Sequence, residues 1–476
     1  MGRYTAITIG PILETMSIAS SPVALWASSY LFSLLSVSIC EELIENGVSE
    51  KDIITPYYRK DSEHLSKNNG VGLFPDRIIF VSDGFNREEL EAVKEKALKK
   101  VAKAFGIEAE FLKEYVMMSS AEYEAENAIL GSTLILDSLE LAKAYRHREE
   151  INPILSLFSG DEYSKNSGLK KTELVKGFKD FQLKKTENSF LSLEEIVKTG
   201  SGLKKYEYYA IVRSDGDGMS NIIASLSGDR EINEFSGKCL DYCSAAAELV
   251  NKYDGVTIYS GGDDLLAILP CESRSGLNIF DFLKALSDEF GKHFDGYNKG
   301  TSLSFGVTIA HYRFPLYEAL EDSAYMLFDI AKKQGKNCAA VHLQKHTGQS
   351  EGLVFSNVSL SEVSDLVRKT VGNKQETEAK NKFILSALYK LDMFKEMFIA
   401  AEGKQIDDLF KNTFDAFDQK GNVFLEKELP NLFKELKEKK HIKAIDSKGV
   451  HDKDTVMIIC YLLRVMKFFI EKEGEK

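Results

Sequence analysis

The stretch Val256–Pro270, VTIYSGGDDLLAILP, constrains this chain more than any other. Two apolar runs, Val256–Tyr259 and Leu265–Leu269, flank a Ser-Gly-Gly-Asp-Asp tip, and this pattern predicts a β-hairpin. Gly261 and Gly262 can take the positive φ values of a short turn and leave room for a phosphate to approach the backbone. In a regular strand the neighbours Asp263 and Asp264 would face opposite ways, but at a turn both carboxylates can converge on one site. Paired acids beside glycines suit a hard divalent cation, which takes oxygen ligands and shares them with substrate phosphates. Taken alone, the stretch also reads as an ordinary polar turn, so the rest of the chain has to decide.

A length of 476 residues implies about two to four domains, each with its own core. The net charge of −12 argues against a chain that coats nucleic acid by itself, while leaving room for RNA held through partner subunits. Cys40, Cys239, Cys243, Cys271, Cys338 and Cys460 include no CxxC pair, so reduced thiols in a cytoplasmic protein are the expectation. Pro22–Cys40 is apolar enough to suggest a membrane span. Its serines, the lack of a preceding basic segment and the acids Glu41 and Glu42 favour a buried helix instead, with no membrane association.

Strand and helix signals alternate along the chain. Tyr4–Ile9 reads as a strand followed by a loop, then a helix from about Val23 to Glu45, a strand at Asp76–Val81, a helix at about Arg87–Phe105 and a strand at Tyr115–Ser119. A clearer unit follows. A strand from near Tyr206 to Val212 leads to a turn with Asp215 and Asp217, then a helix at about Glu231–Lys252, the hairpin, a helix at about Ile279–Phe294, the strand Ser302–Ala310, a helix at about Leu316–Lys333 and the closing stretch Gly335–Val341. This β-α-β-β-α-β order is the ferredoxin-like pattern, and the earlier stretch reads as a weaker copy whose tip is assigned to Val81-Ser82-Asp83-Gly84, without paired acids.

The expected fold class is therefore α+β. Residues 1–124 form a degenerate palm-like domain, 125–200 a helical connector with a loop at Ser159–Gly168, 201–348 the catalytic palm, and 349–476 a helical C-terminal domain. The C-terminal loop Ala416–Glu428 superficially suggests an EF-hand, but Ala416, Lys420 and Lys427 stand where oxygen ligands are required.

In such a sheet the first strand lies beside the hairpin, so Asp215 can join Asp263 and Asp264 as ligands of two metal ions, Mg2+ or Mn2+. Ser260 belongs to the same tip as a nucleotide contact, and Asp217 is a weaker candidate whose DGDG turn can equally serve as a cap. Lys332 and Lys336 can neutralise phosphate charge, and two solvated surface lysines is an equal alternative.

Taken together, SDGDGMS, SGGDD, SLSFGVTIAHYRFPL and AKKQGKN resemble the active palm of the large subunit of type III CRISPR effector complexes. ITIGPILETMSIASSPVALWASSYLFSLLS and GLFPDRIIF resemble the first palm of its Cmr-type branch. The resemblance spans Tyr4 to Val341 and implies a target-RNA-activated nucleotidyltransferase, working with other subunits, guide RNA and target RNA. It implies ATP as substrate and a cyclic oligoadenylate as product. In some members it implies a conjugate of AMP with S-adenosylmethionine. By position it makes Asp215, Asp263 and Asp264 the metal ligands, Gly261 and Gly262 the phosphate approach, and Lys332 and Lys336 triphosphate contacts. Two departures stand out. The chain starts directly at the first palm, without an HD-type nuclease domain, and its His451-Asp452 dipeptide has no companion histidines in metal spacing, so DNA cleavage is not expected. The connector stretch Ile154–Tyr163 lacks the cysteines of a zinc site. A diguanylate cyclase is the rival enzyme, although Leu265 stands where those enzymes usually place Phe. A catalytically silent scaffold of an RNA-protein complex is the third reading.

Overall fold

The computed structural model describes residues 2–61, 70–144, 192–198, 207–297, 300–345, 350–370, 374–414, 427–439, 441–446, 449–452 and 454–470. Of the expected connector, helices Ala128–Ala144 and Leu193–Lys198 are described. The loop Ser159–Gly168 and the cysteine-free stretch Ile154–Tyr163 lie outside the described residues, as do residues 416–426 of the EF-hand-like loop.

The N-terminal alternation forms strand β1 (Gly2–Gly10), buried along almost its whole length because it is central in its sheet. With β2 (Ile53–Thr55), β3 (Arg77–Val81) and β4 (Met117–Ala125) it makes a four-stranded sheet in the order β2-β3-β1-β4, every pair antiparallel. Two helices pack on each other beside it, Pro22–Glu45 and Arg87–Phe105. The first starts cleanly because Ser21 Oγ accepts from Ala24 N–H at 3.2 Å and Pro22 occupies a position that needs no N–H partner. It is buried on nearly all sides, which explains a sequence apolar enough to resemble a membrane span. The second opens with a reciprocal box between Asn86 and Glu89, each side chain taking the other's backbone N–H at 2.9 Å, and ends at Gly106 with φ 66°.

The second sheet contains β5 (Tyr208–Asp217), β6 (Val256–Gly261), β7 (Asp264–Pro270), β8 (Ser302–His311), β9 (Cys338–Gln344), β10 (Ser350–Ser356), β11 (Ile442–Asp446) and β12 (Gly449–His451). Its order is β12-β11-β10-β9-β8-β5-β7-β6. The run β6-β7-β5-β8 repeats the order β2-β3-β1-β4 of the first sheet, so both copies have the ferredoxin-like topology.

That correspondence corrects the tip assignment for the first copy. β3 is the counterpart of β7, so the counterpart of the Asp-Asp turn is the connection that enters β3, ending at Pro75 and Asp76. Val81–Gly84 leaves β3 at its other end. The expected single turn misled because β2 is only three residues long and carries no clear alternation of its own.

Two further differences follow from short or mixed patterns. Ile12–Ser17 is a helix where a loop was expected, and the C-terminal region is not all helical, since β10, β11 and β12 extend the sheet. In β11 the alternation Ile442, Ala444 is short and interleaved with Lys443, so it reads as a charged segment. His451 lies on β12 with its Nε2 2.8 Å from Asp446 Oδ1.

By internal packing the chain forms two compact units. Residues 1–196, 214–268 and 288–302 make the first, which holds the four-stranded sheet and both acidic turns. Residues 197–213, 269–287 and 303–476 make the second. In the second unit β8 and β9 run parallel, and Gly306 of β8 lets the helix Leu316–Tyr325 lie directly on the strand. A Cβ at Gly306 would stand 2.2 Å from Ser323 O. The apolar helix Thr455–Ile470 packs against Lys374–Met393 and β10, and Phe398, Phe410 and Phe433 cluster beside them.

Candidate active site

The buried run Tyr209–Val212 carries β5 into its polar end, Ser214-Asp215-Gly216-Asp217. Beside it the hairpin closes tightly: Gly261 pairs with Asp264, leaving Gly262 and Asp263 as a two-residue turn. Of the two glycines only Gly262 takes positive φ, at 70°. Gly261 stays in the strand, and neither would carry a Cβ within 4 Å of another atom, so the backbone there is open to a ligand.

Gly216 shows how closely the two turns meet. A Cβ there would stand 2.6 Å from Asp263 Oδ2 and 2.9 Å from Asp263 Cβ. The Asp263 carboxylate therefore lies against the backbone that carries Asp215 and Asp217. Asp215, Asp263 and Asp264 are half-buried, whereas Asp217 is buried and its Oδ2 accepts from Ser302 Oγ at 2.7 Å. Asp217 is thus already engaged in fixing its own turn. Ser260 departs from its expected role as a nucleotide contact. It is fully buried, its hydroxyl donates to Cys243 O at 3.1 Å and its N–H to Gly72 O at 3.0 Å, so both groups serve to seat the hairpin.

Helix Asp229–Lys252 supports both turns from beneath. The Cys243 thiol donates to Gly262 O at 3.4 Å, and burial together with Asp263 and Asp264 pushes it up to about 12. Cys239 and Tyr242 are raised too, mainly by burial and further by Asp263. The hydroxyls of Tyr242 and Ser214 are buried beside each other without a well-formed hydrogen bond. The same helix grips the first palm: Asn233 Nδ2 donates to Ile53 O at 2.7 Å, Tyr57 N–H donates to Ser236 Oγ at 2.8 Å, and Tyr4 OH donates to Asp229 Oδ1 at 2.7 Å.

The acidic turn opens on a cleft of about 500 Å³ within the first unit. Gly261 to Asp264, Phe235 and Cys239 line one side, and Thr55, Tyr57, Pro75, Asp76 and Arg77 of the first palm another. Burial raises the Asp76 carboxyl above its ordinary value, outweighing the lowering effects of a backbone hydrogen bond and of the Arg77 charge. Arg77 is itself bonded to Asp137 at 2.6 Å and Glu140 at 3.0 Å. The first-palm wall was missed in the sequence. Its only signal was Asp76-Arg77 at the entry to β3, hidden by the misplaced tip.

Lys332 and Lys336 belong to the second unit. Lys332 caps the π-turn Met326–Ala331 and is half-buried, while Lys336 is exposed with φ 65°.

The donor types at these two turns suit a hard divalent cation. The donors are carboxylate oxygens, and Gly261 and Gly262 leave space beside them. Asp215, Asp263 and Asp264 would hold the ion, and Asp217 would keep its hydroxyl partner.

Two family models match the chain: "Cas10/Cmr2, second palm domain" over residues 208–340 and "CRISPR-associated protein Cmr2, N-terminal" over residues 4–108. The Cmr2 subunit of the CRISPR Cmr system of Pyrococcus furiosus is 32% identical over an alignment covering 30% of this chain and 19% of that relative. The chain thus matches about a fifth of that protein's length. Among solved structures, a type III-B Cmr-beta assembly in the apo state is similar at TM-score 0.57 and 12% identity, over 99% of this chain and 82% of that one. A Csm1–Csm4 cassette in complex with cA4 is similar at TM-score 0.55 and 15% identity, over 98% and 70%. At such identities the likeness concerns the fold.

Proposed function

The chain belongs to the Cas10/Cmr2 family through both of its palm segments, and on that premise we propose that it is the nucleotidyltransferase of a type III CRISPR antiviral complex. It works in the cytoplasm with the other subunits, guide RNA and target RNA, and turns ATP into a signalling nucleotide. The observation that carries this reading is the seat of Asp263 against Gly216, which sets the hairpin turn, whose Asp263 and Asp264 line the cleft, directly against the end of β5 that carries Asp215.

In the proposed reaction an acceptor hydroxyl attacks the α-phosphate of ATP, a new P–O bond forms, and pyrophosphate leaves. Bound Mg2+ or Mn2+ supplies a lower pKa for the attacking group and charge stabilisation for the departing one. Asp215, Asp263 and Asp264 hold that charge in place, and the open backbone at Gly261 and Gly262 lets the phosphates approach. Ser260, Cys243 and Asp217 keep the turns rigid, so the acids need little reorganisation as the reaction proceeds. Lys332 and Lys336 are assigned to the triphosphate by the family resemblance.

A cyclic oligoadenylate is the first candidate product, in line with the cA4 bound by the Csm1–Csm4 relative. One observation favours a second acceptor, S-adenosylmethionine. Among the described residues lining the cleft Arg77 is the one cation, and Asp137 and Glu140 already share it, which suits an acceptor without a triphosphate. The test is to give the target-bound complex ATP with and without S-adenosylmethionine and weigh the products. Cyclic adenylates from ATP alone select the first acceptor, and product only with both substrates selects the second. Equal or faster use of GTP would instead favour a diguanylate cyclase, and no nucleotide consumption a scaffold.

A further inference from the structure

We propose that Glu362, Glu435 and His441 form a zinc-class divalent cation site that ties together three elements of the second unit. Glu362 stands on helix Leu360–Thr370, Glu435 on helix Leu429–Lys439, and His441 directly before β11. One ligand atom from each lies within 4.8 Å of the other two. His441 is fixed through its backbone, since its carbonyl accepts from Ser356 N–H at 2.9 Å. Its side chain is only 14% exposed and its Nδ1 is buried with no hydrogen-bond partner. The other ring nitrogen, Nε2, points to Glu362 Oε2 at 3.8 Å. That is too long for a charge-assisted hydrogen bond, which closes to about 2.7–2.9 Å. It is close to the spacing of two ligands on one tetrahedral zinc, about 3.3 Å for bonds of about 2.0–2.1 Å.

One imidazole with two carboxylates is a donor set that suits zinc and its neighbours better than Mg2+, because nitrogen is a poor ligand for a hard ion. The remaining closure falls to Glu362, whose exposed side chain can swing inward. Lys439 now occupies Glu435 as a hydrogen-bonded ion pair, but it is itself 62% exposed and free to leave as an ion enters. Bound metal would clasp the two helices to the start of β11, taking the place of the Lys439 charge that now faces Glu435 and Glu362. None of the three residues lines the acidic cleft, so the site stands apart from the proposed chemistry.

The experiment uses the full chain carrying Asp263→Asn and Asp264→Asn, so that the catalytic acids bind no competing ion, after EDTA treatment and dialysis. Zinc per chain is measured by equilibrium dialysis, and Co2+ is added as a spectroscopic probe. Relative to that background, both Glu362→Gln and His441→Gln are expected to lose one zinc ion per chain and the visible Co2+ absorption, while Lys439→Met tightens binding. Glu362 is exposed, so its variant keeps the test open should His441→Gln fail to fold. Unchanged zinc content in Glu362→Gln, or a background chain that binds no zinc, would overturn the site.

Discussion

Gly216 is the residue on which the site's geometry turns. A methyl group there would meet Asp263 Oδ2 at 2.6 Å and Met219 Cγ at 2.8 Å, so Gly216→Ala must push the Asp263 carboxylate out of place. Overpacking of this kind costs about 1–3 kcal/mol. Turnover is expected to fall by about ten- to a hundredfold while the circular dichroism spectrum is kept. Unchanged turnover would show that the placement of Asp263 does not matter. Tyr242 makes the opposite kind of prediction. Its hydroxyl is buried beside that of Ser214 without a well-formed hydrogen bond, so Tyr242→Phe removes a poorly bonded desolvated group and should leave Tm unchanged or raised. A loss of more than about 1 kcal/mol in a denaturant titration would mean that the hydroxyl is bonded in the folded protein.

At the level of elements, what could be read in the sequence depended on how strongly each segment's pattern was closed by its ends. Helix Arg87–Phe105 lies where its apolar stripe and its Asn86, Glu89 and Gly106 caps put it. Asn86→Ala should therefore cost about 1 kcal/mol, measured as a lower denaturation midpoint, and an unaltered midpoint would mean that the cap is redundant. The hairpin β6–β7 was legible for the same reason, its turn chemistry agreeing with its flanking runs. The three-residue β2, the mixed β11 and the short β12 were not, because their alternation is shorter than the noise of ordinary sequence and long-range pairing supplies their stability. Asp215, Asp263 and Asp264 could be singled out in the sequence because two acid-and-glycine turns fall at the ends of neighbouring strands, and their role as metal ligands belongs to the proposed function. The first-palm wall, with Asp76 and Arg77, was not, because its relation to the acidic turn exists only after both copies have folded.

For the whole molecule, the proposed function makes activity a property of the assembly. The purified chain without guide or target RNA is expected to turn over ATP at no more than about a hundredth of the rate of the target-bound complex, a population shift of about 2.7 kcal/mol or more. Full-rate synthesis by the chain alone would contradict activation through RNA. The central claim, nucleotidyl transfer at two facing acidic turns, is tested most directly by comparing wild-type and Asp263→Ala/Asp264→Ala chains. Each is assembled with partner subunits, guide RNA and target RNA, given ATP and Mg2+ or Mn2+, and its products are weighed by mass spectrometry. The wild type is expected to release pyrophosphate and an adenylate product. The double variant should assemble equally well and make less than about a thousandth as much, since losing the metal's charge stabilisation costs several kcal/mol of barrier. Comparable product from the double variant, or none from the wild type with either metal, would contradict it.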